Sequence, residues 1–205
     1  MENNVLGSFN YKGISTLQHV NISKVFKEFL SIERPDRIIE IGTEFGGLTL
    51  MLQDILLELG LFNTKIRTYD IKTPQLLLNH IDKTDMIEII KKDLFSYYPF
   101  SIGNESKNEL RSFMSNTGVN LILCDGGNKI GEFNCLSDIL NENDIIMCHD
   151  YIENDDIFNN LFLNKIWNWK EIEKADIIDA INKNNLHEHF YNQFTNVAWG
   201  CFIKK

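Results

Sequence analysis

The stretch RIIEIGTEFGGLTLMLQDILLELG, residues 37–60, changes character halfway along. RIIEIG (37–42) is a run of β-branched apolar residues interrupted by one acid, as expected of a strand covered on both faces. From Gly47 to Gly60 the leucines, Met51 and Ile55 make an apolar helix. Between the two lie Gly42, Gly46 and Gly47, where the backbone can be approached closely with no Cβ in the way. Strand, glycine turn and helix form the unit from which parallel sheets are assembled.

The alternation continues downstream with strand KIRTYDI (65–71), a short helix from Pro74, strand MIEII (86–90), a helix in ESKNELRSFMSN (105–116), strand VNLILCD (119–125), helix KIGEFNCLSDIL (129–140) and strand DIIMCHD (144–150). Upstream, Ile22, Val25, Phe26, Phe29 and Leu30 recur at helical spacing, and Pro35 stops that helix. At the far end LHEHFYNQ (186–193) and NVAWGCFIKK (196–205) read as two strands separated by a few polar residues, hence a hairpin with an antiparallel strand at that end of the sheet. The pattern predicts an α/β fold, a Rossmann-like three-layer sandwich whose mostly parallel seven-stranded sheet finishes in a C-terminal antiparallel hairpin. With three prolines and no linker or repeat, residues 1–205 read as one domain: an arm and helix (1–34), a core (35–150) and a closing segment (151–205).

The 205 residues are 43% apolar and 24% charged, which excludes a disordered chain. Twenty Lys and Arg against 29 Asp and Glu give a net charge of −9, so nucleic acid and anionic membranes are repelled on average. No run of 18 apolar residues and no secretory leader is seen, and a soluble, cytoplasmic protein is expected. Cys124, Cys135, Cys148 and Cys201 lack CxxC spacing and read as reduced, packed thiols.

In an open α/β sheet, ligands bind beyond the carboxyl ends of the strands, where the strand order reverses. The first strand ends as EIGTEFGG, Glu40 through Gly47. This GxxxGG spacing departs from the GxGxxG of a pyrophosphate-binding loop and disfavours a nicotinamide-dependent oxidoreductase. An acid beside the loop favours a ligand carrying an ammonium and a sulfonium, which suits S-adenosylmethionine. Asp70 ends the second strand where a carboxylate can accept ribose hydroxyls, and Asp93 follows MIEII where one can accept from an adenine amino group. The fourth strand ends at Asp125 in CDGGNK and the fifth at His149 and Asp150 in CHDY. As neighbours they bring two carboxylates together, and a hard divalent ion such as Mg²⁺ would relieve the repulsion.

The loop, Asp70, Asp93 and the terminal hairpin together resemble the class I S-adenosylmethionine-dependent methyltransferases, from about Arg37 through Asp150 in strand and helix order. The acids of the fourth and fifth strands are similar to those of metal-dependent O-methyltransferases of the catechol and macrolide-sugar type. FNYKGISTLQH (9–19), a helix and then RIIEIGTEFGG are similar to the cephalosporin-hydroxylase-like branch. The resemblance implies S-adenosylmethionine held by Glu40, Gly42, Thr43, Glu44, Gly46, Gly47, Asp70 and Asp93. It implies a divalent ion on Asp125, His149 and Asp150, Mg²⁺ or, with a histidine in the set, Mn²⁺ or Fe²⁺. The activity it implies is methylation of a small-molecule hydroxyl on a sugar, polyketide or phenol; homo-oligomerisation is left open. Three residues past Asp125, where the family often has a proton-accepting His or Lys, stands Asn128, which cannot be a base; Lys129 and His149 are the catalytic candidates. That asparagine also supports an alternative, a non-catalytic S-adenosylmethionine-binding partner subunit or sensor.

On the acceptor side the pattern offers Phe158, Phe162, Trp167 and Trp169, with Phe9 and Tyr11 of the arm closing the other side, although core packing is the commoner role of such rings. The helix EIEKADIIDAINKNN (171–185) would bury Ile172, Ala175, Ile178 and Ile181.

Overall fold

The computed structural model describes residues 7–81, 85–114, 117–166 and 168–205, so that Trp167 lies outside the described residues. The chain opens with the hairpin β1 (Phe9–Tyr11) and β2 (Ile14–Thr16), then α1 (Ile22–Glu33), β3 (Arg37–Ile41), α2 (Gly47–Glu58), β4 (Lys65–Asp70), α3 (Gln75–Leu78) and β5 (Ile87–Lys91). A second hairpin, β6 (Phe95–Tyr97) and β7 (Phe100–Ile102), precedes α4 (Asn104–Met114), β8 (Asn120–Cys124), α5 (Lys129–Leu136) and β9 (Ile145–His149). The closing segment holds β10 (Tyr151–Ile152), α6 (Asp155–Ile157) with a π-helical turn at Phe158–Phe162, β11 (Ile172–Glu173), α7 (Lys174–Lys183), β12 (Leu186–Glu188), α8 (Tyr191–Thr195) and β13 (Trp199–Lys204).

Seven strands form one sheet in the order β12-β13-β9-β8-β3-β4-β5. The five strands from β9 to β5 are mutually parallel, and β13 runs antiparallel to both β9 and β12. From β3 the chain steps outward through β4 to β5, then returns past β3 to β8 and β9. The strand order therefore reverses between β3 and β8, and their carboxyl ends flank the crevice that such a reversal leaves.

The two-residue period of the strands divides their apolar residues between two faces. Ile39, Ile122, Cys124 and Ile146 pack with Leu110 of α4, Phe133 of α5 and Ile177 of α7. Ile38, Leu121, Leu123 and Met147 pack with Phe26 and Phe29 of α1 and with Met51 and Leu52 of α2. Each buried Ile, Leu or Phe contributes about 1.5–3 kcal/mol relative to exposure, so both faces hold the sheet in place. At the end of α1, Arg34 takes a left-handed φ of +46° and donates its N–H to Leu30 O, one residue before Pro35. All four cysteines are free, three of them buried. No helix among the described residues is long and apolar enough to cross a membrane.

Two local expectations need correction. The terminal antiparallel pair is present, but its first strand is only Leu186–Glu188 and not 186–193, and α8 occupies the connection because Phe190 and Phe194 pack edge-to-face on Phe29 of α1. In the preceding helix the buried stripe is Ile177, Ala180 and Ile181, not Ala175 and Ile178. The helix starts only at Lys174 behind a capping box of Glu173 and Asp176, while Ile172 belongs to β11, so the helical register is set two residues later.

Candidate functional site

A cavity of about 450 Å³ lies across the carboxyl ends of the central strands, within the roughly 300–1,000 Å³ typical of small-molecule sites. On one wall is the turn from β3 into α2. Gly42 has φ +89°, and a Cβ there would collide with the Asp125 carbonyl at the end of β8. Gly46, with φ +87°, donates its N–H to Thr43 O at 2.8 Å and closes the turn. Glu44 also sits at positive φ, +49°, where its N–H reaches Asp70 Oδ2 at 2.8 Å. The other Asp70 oxygen accepts from Lys72 N–H, so this carboxylate ties the end of β4 to the loop. Asp93 lies after β5 and accepts from Phe95 N–H at 3.1 Å.

Gly42, Thr43, Glu44, Gly46, Gly47, Asp70 and Asp93 all line the cavity. Glu40 is placed otherwise: it is fully buried beneath the loop and is not among the lining residues. Its Oε2 accepts from Thr49 at 2.5 Å and from Thr68 at 2.6 Å, and the Thr68 hydroxyl lies 2.5 Å from that of Thr43. Burial pushes the Glu40 carboxyl up to about 8. Its part is to hold the base of the loop from below.

The opposite wall carries Asp125, Lys129, His149 and Asp150, which the fold brings together as the sequence suggested. His149 Nδ1 is 2.8 Å from Asp125 Oδ1 and 3.7 Å from Asp150 Oδ2. The ammonium of Lys129 lies 3.3 Å from Asp150 Oδ2 and 2.7 Å from Glu171 Oε2, with the Lys129 and Asp150 side chains only 8% and 7% exposed. Burial works against the charged form of His149, but Asp125 and Asp150 outweigh it and raise its pKa above the ordinary value. Asn128 caps α5, its side chain accepting from Gly131 N–H at 2.9 Å.

Three lining residues were not foreseen. Gln18 donates from Nε2 to Asp125 Oδ2 at 2.8 Å and accepts from Trp199 Nε1 at 2.8 Å, while the Trp199 ring lies 5.0 Å from that of His149. Glu132 accepts from the backbone N–H groups of Gly126 and Asn128, and burial pushes its carboxyl up to about 7. Glu171 pairs with Lys129. The arm does close one side of the cavity, but through Ser15 to Gln18, not through Phe9 and Tyr11. Tyr11 instead donates to Asp54 Oδ2 at 2.7 Å. Trp169 lines the cavity at 48% exposure, whereas Phe158 and Phe162 pack with Ile152 and Ala198.

No protein-family model matches the chain, and no curated protein matches it. Solved structures do match. CmcI without ligand superposes with a TM-score of 0.64 at 15% identity, over 96% of this chain and 76% of CmcI. CmcI with Mg and S-adenosylmethionine gives 0.62 at 15% identity, over 96% and 77%. The MycE methyltransferase of mycinamycin biosynthesis, in complex with Mg, S-adenosylhomocysteine and mycinamycin VI, gives 0.52 at 15%, over 91% of this chain and 50% of MycE. An O-methyltransferase family protein from Burkholderia thailandensis gives 0.52 at 11%, over 91% and 56%. The chain shares the fold of these structures. At these identities the likeness is one of fold, and the chemistry has to be argued from the site.

The expected metal ligands do not fit a divalent ion as they stand. His149 directs Nδ1 at Asp125, and Asp150 Oδ2 faces an ammonium, so one donor atom of each of these two residues is already engaged by a neighbour. Among the described residues no group of three His, Cys, Asp or Glu is arranged to hold a metal. Asp150 Oδ1 is buried with no hydrogen-bond partner among the described residues, but a single oxygen beside a lysine is not a site for a hard dication.

Proposed function

We propose that this chain is a methyltransferase that transfers the methyl group of S-adenosylmethionine to a hydroxyl of a small-molecule acceptor. The observation that carries the reading is one cavity lined on one side by the glycine turn with Asp70 and on the other by the Asp125–His149 pair. The donor fits the first side: Gly42 leaves the backbone bare, and Glu44, Asp70 and Asp93 favour a ligand with net positive charge. S-adenosylmethionine, when bound, supplies an electrophilic methyl group on sulfur.

The chain's own residues do the rest. Asp125 orients His149 through Nδ1, and Gln18 holds the second Asp125 oxygen, so the pair has one fixed geometry in which to take up the acceptor's proton. Trp199 backs the imidazole, and Ser15 to Gln18 and Trp169 narrow the entrance around the acceptor. Alignment and exclusion of water are the main demands of an in-line displacement. The asparagine that favoured a non-catalytic protein is a helix cap, and the base it seemed to lack is available from the neighbouring strand. We read the two covered faces of the sheet as the three-layer methyltransferase sandwich and residues 1–205 as one domain.

The test is transfer of label from S-[methyl-³H]adenosylmethionine to a panel of sugars, polyketide lactones and phenols. Transfer to a hydroxyl-bearing acceptor is expected; binding of S-adenosylhomocysteine without transfer to any member would favour a sensor or partner subunit.

A further inference from the structure

We propose that the ammonium of Lys129 is the resident cation of this site, standing where the sequence pattern leads one to expect a divalent ion, so that the acidic wall needs no metal. The geometry is specific. Lys129 is the first residue of α5, which Asn128 caps, and from there its side chain runs into the cavity wall, where Nζ lies 2.7 Å from Glu171 Oε2 and 3.3 Å from Asp150 Oδ2. An ammonium has three N–H donors, and two carboxylates leave one for a ligand in the cavity that Lys129 lines. Asp150 contributes from the turn after β9, held at φ +54° with its backbone carbonyl accepting from Glu171 N–H at 3.2 Å. Asp150 and Glu171, the two acids on the lysine, are thus fixed to one another by main chain.

Each of the three acids has a partner in this arrangement. Asp125 is matched by His149 and by the Gln18 amide, and Asp150 and Glu171 share the lysine. The Lys129 side chain, only 8% exposed, holds its place between these two acids. A dication entering this wall would have to expel a buried ammonium from two carboxylates. In the transfer reaction the acceptor oxygen bonds to the methyl carbon as the carbon–sulfur bond breaks with its electron pair left on sulfur, and the hydroxyl proton passes to the Asp125–His149 pair. The lysine charge then faces the oxygen as it becomes electron-rich, a role usually given to a metal.

This proposal rests on the methyl-transfer reading for its chemistry but not for its test, which uses Mn²⁺ and Mg²⁺ alone as probes. Each ion is titrated calorimetrically into the wild type and into Lys129→Met, with and without S-adenosylhomocysteine. The wild type is expected to show no saturable binding up to on the order of 1 mM, the weak end of protein sites for hard cations. Lys129→Met, left with Asp125, Asp150 and Glu171 uncompensated by the lysine, is expected to bind Mn²⁺ at least about tenfold more tightly. Wild-type binding below about 1 mM, or a variant no tighter than the wild type, overturns the proposal. If circular dichroism shows that Lys129→Met does not fold, the wild-type titration decides by itself. Absence of S-adenosylhomocysteine binding would sink the methyl-transfer reading while leaving the metal comparison intact.

Discussion

Asp125 is the residue on which this wall of the cavity turns, because its two carboxylate oxygens serve different elements: Oδ2 takes the arm through Gln18, and Oδ1 takes β9 through His149. Asp125→Asn keeps the shape but replaces one acceptor by an NH₂ facing a donor. Transfer is expected to fall by about 100-fold or more, the usual scale for losing an oriented acid–base pair, with S-adenosylhomocysteine affinity changed less than about threefold. Unchanged turnover in the label assay would remove the pair from the chemistry. Asp125, His149 and Lys129 were legible in sequence because they close or follow apolar strands. Gln18 was not, since nothing in an irregular polar arm announces a partner 107 residues away. Glu40 was legible as an acid of the loop but not as a buried one, since strand periodicity does not say which polar residue faces the ligand. Its folded pKa of about 8 stands above the unfolded value of 4.5. The stability it allows is therefore complete below about pH 4.5 and is lost as pH rises toward 8, the unfolded chain releasing the proton first. Glu40→Gln removes that dependence. Urea unfolding between pH 5.5 and 8.5 is expected to show the variant gaining on the wild type as pH rises; a constant difference would contradict the burial argument.

At the scale of the element, the turn from β3 to α2 forms one wall of the cavity, the proposed donor side, and its glycines are not equivalent to others nearby. Gly42 is held at positive φ against the backbone of β8, whereas a Cβ on Gly127 would meet nothing within 4 Å. Gly42→Ala is expected to lose about 1–3 kcal/mol of stability, the range for a strained backbone position, and at least tenfold in S-adenosylhomocysteine affinity. Gly127→Ala is expected to change stability by less than about 0.5 kcal/mol. Equal denaturation midpoints for the two variants would mean that the close approach of β3 and β8 does not matter. The element pattern was legible wherever a long run kept one period, as in α2 and β8. It failed at the C-terminal connection, where Phe190 and Phe194 stand four apart and their packing on α1 made a helix of residues that also alternate like a strand. The short β6–β7 hairpin, three residues a side, was too brief to show a period at all.

For the whole molecule, the strand order and the net charge of −9 act together. The reversal between β3 and β8 opens a crevice, and on the proposed function its acidic lining is expected to favour a donor of net positive charge over a dinucleotide. The central claim is that this crevice binds S-adenosylmethionine, and its product is the direct probe. Calorimetry with S-adenosylhomocysteine is expected to show one site per chain, weakened at least tenfold by Asp70→Ala. At a ligand concentration 100 times the dissociation constant the folded state gains about 2.7 kcal/mol, a rise of roughly 5–10 °C in melting temperature for a chain of this size. NAD is expected to give neither heat nor shift. A protein that ignores S-adenosylhomocysteine, or is stabilised by NAD instead, would contradict the account.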